Sequence, residues 1–173
     1  MSGASGSRAT FATSAAPIKL RTARPADAAA LAGLLAELGY PQAAAELAPR
    51  IAALADTATD TVLVAEVGEQ VVGMASLHVT PFFNEGQSRG RITALVVDLT
   101  QRGRGIGRHL LAAVEAAASR RGCGAVELTS SPHRHGAHRF YLAAGYQDLP
   151  YRFLKQLDPA SDQHQAEEAP STG

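Results

Sequence analysis

Val97-Asp98-Leu99-Thr100-Gln101-Arg102-Gly103-Arg104-Gly105-Ile106-Gly107-Arg108 decides how this 173-residue chain is read. An apolar run, residues 92–97, feeds a turn rich in glycine and arginine. The turn opens into a pattern that sets Ile106, Leu110, Leu111, Val114 and Ala118 on one side of a helix. Strand, glycine turn and helix start, in that order, make an anion site out of main chain. Successive N–H groups converge, the helix N-terminus carries partial positive charge, and glycine lets a ligand approach the backbone.

Charge gathers at the same place. The whole chain balances, with Lys+Arg 16 and Asp+Glu 16, which argues against a general nucleic-acid binder. Residues 100–139, however, carry seven arginines (102, 104, 108, 120, 121, 134 and 139) against Glu115 and Glu127, a local excess of five positive charges. That excess suits a small polyanion better than a long duplex. Cys123 is the only cysteine, so an internal disulfide and a multi-cysteine metal site are excluded, and a reducing, cytoplasmic location is expected. No apolar run reaches transmembrane length, so no membrane partner is expected.

Length and composition fit one domain with a real core: 46% of residues are hydrophobic and 18% charged. Residues 1–17 are small and polar and read as a disordered leader. Residues 158–173 hold Asp158, Asp162, Glu167 and Glu168 with no Lys or Arg, and read as a disordered acidic tail. The domain is expected over residues 18–157.

Outward from the glycine turn, the pattern predicts a strand at 18–22 and a helix capped by Asp27, with Leu31, Leu34, Leu35 and Leu38 on one face and a stop at Gly39 and Pro41. A second helix through Leu47, Ile51 and Leu54 is expected to kink or break at Pro49. Residues 61–67 and 71–79 read as a hairpin turning at Gly68-Glu69, and 80–91 as a loop with Pro81, Phe82, Phe83, Gly86 and Gly90. Residues 92–97 read as a central strand buried on both faces. A strand at 125–129 follows, then a short helix that groups Ala137, Phe140, Tyr141 and Ala144 and stops at Gly145, then a last strand at 151–157. The order β-α-α-β-β-β-α-β-α-β predicts a mixed sheet flanked by helices.

Several phosphate-binding fingerprints fail. G-x-G-x-x-G needs glycine where Arg108 stands, the P-loop's Gly-Lys-Ser/Thr is missing, and the kinase loop lacks its partner motifs. The pattern Arg/Gln-x-x-Gly-x-Gly/Ala is met by Arg102-Gly103-Arg104-Gly105-Ile106-Gly107. Arg24-Pro25-Ala26-Asp27 opens the first helix, and Ala137-His138-Arg139-Phe140-Tyr141-Leu142-Ala143-Ala144-Gly145-Tyr146 looks like an A-x-x-F-Y-x-x-x-G-F segment, with tyrosine in the last place. On these motifs, over about residues 18–155, the chain resembles the GCN5-related N-acetyltransferase (GNAT) superfamily.

The resemblance implies a single-domain α/β (α+β) fold, with a mixed central sheet of six to seven strands and about four helices. It implies an acetyl-CoA-dependent N-acetyltransferase that moves the acetyl group directly to a primary amine of a small molecule or peptide. The backbone of Leu95, Val96 and Val97 would pair with the pantetheine arm like an added strand. The N–H groups of Arg102, Gly103, Arg104, Gly105, Ile106, Gly107 and Arg108 would hold the pyrophosphate. Tyr141 would touch the cosubstrate and protonate the departing thiolate. Homodimers are common in the superfamily, so a homodimer is a further expectation.

The proton acceptor stays open. Some members place a glutamate on the central strand, whereas Arg91-Ile92-Thr93-Ala94 has no acid. Glu127 is a candidate, Glu66 and His78 are weaker ones, and a water relay or an already neutral amine fits equally. The acceptor region falls near Glu37, Tyr40, Phe82, Phe83, Asn84 and Glu85, where acids beside aromatics suit a cationic amine. His133, His135 and His138 with Arg134 read as a polar loop rather than a metal site. Cys123 reads as a buried thiol at a helix end. Two other classes compete with the enzyme: a non-catalytic acyl-CoA sensor and, more weakly, a nucleotide-binding α/β domain.

Overall fold

The computed structural model describes residues 16–84 and 86–149. The chain divides at Gly136 into a larger and a smaller unit. In the larger unit, strand β1 (Ile18–Thr22) leads through a 3-10 turn (Pro25–Asp27) into helices α1 (Ala28–Glu37) and α2 (Ala44–Ala55). Strands β2 (Asp60–Val67), β3 (Gln70–Thr80) and β4 (Ser88–Val97) follow, then a 3-10 turn (Leu99–Gln101), helix α3 (Ile106–Arg120) and strand β5 (Cys123–Leu128). The sheet order is β1-β2-β3-β4-β5, antiparallel except for the parallel β4–β5 pair.

Two apolar layers sandwich this sheet. On one face Leu31 and Leu34 of α1 and Leu47 and Ile51 of α2 cluster with Val62, Val64, Met74 and Val96. On the other, α3 buries Ile106, Leu110, Leu111 and Val114 to within 2% of full burial, each stabilising the fold by about 1.5–3 kcal/mol. This helix lies close to the sheet because Gly73 and Gly90 face it. A Cβ on Gly73 would meet Leu110 at 3.1 Å, and one on Gly90 would meet Ala118 at 3.0 Å.

Several expectations are corrected. Helix α2 runs unbroken through Pro49. Leu47 and Ile51 anchor it on both sides of the proline, while Ala45, whose carbonyl loses its donor, and Pro49 are both exposed to solvent. Asp27 does not cap α1 with its side chain; its carboxylate accepts from the Arg24 N–H at 2.7 Å and from Arg21. β4 begins at Ser88, within the expected loop, because antiparallel pairing of 89–91 with β3 and parallel pairing of 88–91 with β5 recruit this stretch despite its polar, glycine-containing sequence. Nor is residues 92–97 buried throughout: Thr93 is exposed and Ala94 and Leu95 half-buried. Cys123 opens β5 rather than closing a helix, and is half-buried.

The smaller unit contributes most of helix α4 (His135–Ala143), which ends at Gly145 with φ +90°. Phe140 and Tyr141 meet edge-to-face at 5.1 Å, as do Tyr141 and Tyr146 at 5.6 Å. The described residues thus hold five strands rather than six to seven. The expected strand at 151–157 lies outside them, as do Glu85 and the segments 1–15 and 158–173. No helix of the described residues is long and apolar enough to cross a membrane.

Candidate functional site

The parallel pair ends before its strands would if both ran to the same level. Register runs from Ser88 opposite Cys123 to Ile92 opposite Leu128, whereas β4 continues to Val97 with β3 alone beside it among the described residues. The edge of β4 along residues 93–97, beyond the end of β5, therefore has no strand beside it among the described residues, and this open edge is the fork. The Asp98 N–H bonds the Val72 carbonyl of β3 at 2.9 Å. By strand alternation, Leu95 and Val97 turn their N–H and C=O toward the fork, while Val96 turns its own toward β3. Of the three residues expected to meet pantetheine, Leu95 and Val97 thus face the fork through their main chain, and the Val96 side chain is buried in the α1/α2 cluster.

At the end of β4 the chain tightens. The Asp98 side chain accepts from Thr100 N at 2.8 Å and Thr100 Oγ1 at 2.6 Å, which caps the Leu99–Gln101 turn and holds the Asp98 carboxyl below its ordinary value. Gly103 and Gly105 take φ +78° and +81°, a left-handed conformation that L side chains rarely adopt. Gly105 is the N-cap of α3. The first bond inside the helix runs from His109 N to Gly105 O at 3.1 Å, so the N–H groups of Ile106, Gly107 and Arg108 precede it and have no intrahelical partner. Gly103, Arg104, Gly105 and Arg108 are exposed around them, while the Ile106 side chain, at 1%, is sunk in the core and fixes the helix start.

Two arginines of the turn are occupied by the protein itself. Arg104 donates to the Gln101 side chain, and Arg102 donates from Nε to the Val97 carbonyl at 2.9 Å. Glu37 joins the same corner, accepting from Leu99 N at 3.1 Å and from Arg102 at 3.5 Å. Its place is thus at the turn.

Below the fork, polar side chains form a row across four strands. Asp60 of β2 faces His78 of β3, His78 faces Arg91 of β4, and Arg91 faces Glu127 of β5. His78 Nδ1 lies 2.9 Å from Asp60 Oδ1. Burial pushes the Asp60 carboxyl up, but hydrogen bonds from His78, Thr59 and Thr57 outweigh it and hold the group below its ordinary value. Glu127 accepts from Arg91 on one oxygen and from Arg89 on the other, both at 3.3 Å. Arg89 also lies 4.7 Å from the centre of the Phe82 ring. Next to the row, Thr93 Oγ1 donates to Ser76 Oγ at 3.0 Å. Glu66, by contrast, is bound to Arg21 in an ion pair with Asp27 at the β1 side of the sheet.

Asp60, Ser76, Thr93 and Arg89 were not marked by their sequence pattern. No motif flags them, and only the strand register brings them to one face. Tyr40 and Phe83 are exposed. Among the described residues no group of three or more His, Cys, Asp or Glu is placed to hold a metal ion.

A free strand edge, a left-handed glycine turn and a helix N-terminus thus follow one another along residues 93–108, and the sequence comparison names the family that carries them. The chain belongs to the acetyltransferase (GNAT) family, whose model matches residues 31–146. The aminoalkylphosphonate N-acetyltransferase of Salmonella typhimurium (strain LT2) is 42% identical over 88 residues, 51% of this chain and 57% of that protein. The match therefore spans little more than half the length of that relative. Among solved structures, an acetyltransferase of Trypanosoma brucei is 27% identical with TM-score 0.69, over 82% of this chain and 100% of that one. An aminoglycoside N-acetyltransferase in complex with CoA has the same fold at 15% identity and TM-score 0.73, over 82% of this chain and 95% of that one.

Proposed function

We propose that this protein is an acetyl-CoA-dependent N-acetyltransferase that passes an acetyl group directly to the primary amine of a small molecule or peptide. The observation that carries this reading is the fork at residues 93–97, which runs straight into the Gly103–Gly105 turn and the start of α3. A pantetheine amide fits main-chain groups of Leu95 and Val97, and a pyrophosphate fits the N–H groups of residues 103–108. Cosubstrate binding is thus assigned to Leu95, Val96, Val97, Arg102, Gly103, Arg104, Gly105, Ile106, Gly107 and Arg108, with Val96 acting by packing.

Transfer needs a neutral amine, donors for the developing oxyanion and a proton for the departing thiolate. We assign the last role to Tyr141 on its position in the A-x-x-F-Y segment. A phenol with an ordinary pKa near ~10 is matched closely enough to an alkyl thiol to share a proton usefully. For the acceptor, the aminoalkylphosphonate named for the Salmonella relative sets the first class to test: a small primary amine that also carries an anionic group.

Calorimetric titration with acetyl-CoA and CoA, paired with thiol release against aminoalkylphosphonates, aminoglycosides, polyamines and peptide amines, tests the reading. Binding with amine-dependent release is the expected result. Binding without release from any amine would favour an acyl-CoA sensor, and no binding would remove the basis of the assignment.

A further inference from the structure

We propose that His78, held by Asp60, is the group that takes the proton from the acceptor amine. The inference rests on the acetyltransferase reading above and supplies the step that reading left open.

Two strand irregularities create the pair. Register between β2 and β3 shifts at Ala65/Glu66, and register between β3 and β4 shifts at Ser76/Leu77. Without the first shift Asp60 would face Leu77, and without the second His78 would face Ile92. Bulges re-aim side chains and gather near active sites. Here two of them, on opposite sides of one strand, set an imidazole between a carboxylate and a guanidinium.

The pair has the arrangement of a general base. A carboxylate only accepts, so Nδ1 donates to Asp60 Oδ1 and the neutral ring keeps its lone pair on Nε2. Asp60 is itself fixed: Oδ2 accepts from Thr57 Oγ1 at 3.1 Å and from Thr59 Oγ1 at 2.9 Å. The His78 side chain is 44% exposed and the Asp60 side chain 18%, so the ring is accessible and its partner sheltered. The charged groups facing His78 are Asp60 from β2 and Arg91 from β4. Glu37, the one charged residue of α1, is engaged at the glycine turn.

Position relative to the fork follows from the register. Thr93 is the first residue of β4 beyond its last pair with β5, and its hydroxyl donates to Ser76. Ser76 and His78 lie two residues apart on β3, so their side chains share a face and sit about 7 Å apart at the backbone, one strand repeat from the fork. Glu127 competes poorly for the role, because both its oxygens accept from arginines.

The balance is simple. An acceptor ammonium gives one proton to His78 Nε2 and becomes a neutral amine. Its lone pair forms the C–N bond to the thioester carbonyl carbon as the C–S bond breaks. The nitrogen then sheds its second proton while the departing sulfur takes one up, so these two cancel, and His78 releases its proton to solvent.

Steady-state thiol release by His78→Gln and Asp60→Asn, beside acetyl-CoA calorimetry, tests the assignment. His78→Gln is expected to lower kcat/KM by about 100-fold with acetyl-CoA affinity within twofold of wild type. In His78→Ala, added imidazole is expected to restore rate in proportion to its free-base concentration. Asp60 is a positioning residue: Asp60→Asn is expected to lower kcat by about tenfold at unchanged KM. A folded His78→Gln protein within threefold of wild-type kcat/KM overturns the inference and leaves the acetyltransferase reading standing. Should His78→Gln fail to fold, an unchanged kcat in Asp60→Asn overturns it instead. A wild-type protein that releases no thiol with any amine overturns both.

Discussion

Arg102 closes back on Val97: its Nε donates a 2.9 Å hydrogen bond to the Val97 carbonyl, the last main-chain acceptor of β4. The same guanidinium reaches Glu37 at 3.5 Å. An arginine in the middle of a phosphate-binding motif thus spends its side chain on shaping the strand end and leaves ligand contact to main chain.

Removing that brace should loosen the fork. Arg102→Ala is expected to weaken acetyl-CoA binding by about fivefold, matching a net hydrogen bond of about 1 kcal/mol at an exposed position. Arg102→Lys should not restore it, since a single ammonium lacks the planar fork that spans the carbonyl and the carboxylate. Calorimetry on the two variants checks this, and wild-type affinity in Arg102→Ala would refute it.

Gly105 holds φ +81° at the N-cap of α3, and a Cβ there would meet nothing closer than the His109 ring at 3.8 Å. The cost of Gly105→Ala is therefore backbone strain rather than collision, about 1–2 kcal/mol. Thermal unfolding should record that loss. Acetyl-CoA affinity should fall by about tenfold, because relaxing the strain re-aims the N–H groups of the first helical turn.

Tyr141→Phe should separate chemistry from binding. Turnover is expected to fall by about 100-fold while acetyl-CoA affinity stays near wild type. Unchanged turnover would remove the tyrosine from the reaction and leave it a packing residue beside Phe140 and Tyr146.

Asp27 gives stability a pH dependence. Hydrogen bonds from the Arg21 guanidinium hold its carboxyl below the ordinary 3.8, outweighing burial, which acts in the opposite direction. The folded state therefore binds protons more weakly than the unfolded one. The stabilisation is complete above about pH 4 and is lost as pH falls through the folded-state value. Asp27→Asn should be about 2 kcal/mol less stable at pH 7, and its stability should vary less with acid than that of wild type. Urea unfolding from pH 7 to pH 3 measures both.

Local pattern made much of this molecule legible before its structure. Ile106, Leu110, Leu111, Val114 and Ala118 repeat at helical spacing, and all five are buried. Gly39, Gly68 and Gly145 mark turns where the backbone does take positive φ. What local pattern does not encode is pairing between distant segments. Ser88 to Arg91 look like loop until β5, more than thirty residues later, lies beside them. Pro49 looks like a break until Leu47 and Ile51 are seen buried around it. Asp60 carries no motif at all, and its partnership with His78 needs a bulge that turn chemistry at Gly68 does not predict.

Those register shifts make chemistry in this sheet a matter of counting. One residue inserted into or deleted from β3 ahead of His78 would bring Leu77 or Val79, both buried, into the row in its place. Relatives that differ by such a step would keep the fold and lose, or relocate, the proton-handling group. Matching them column by column would then compare side chains that point to opposite faces of the sheet.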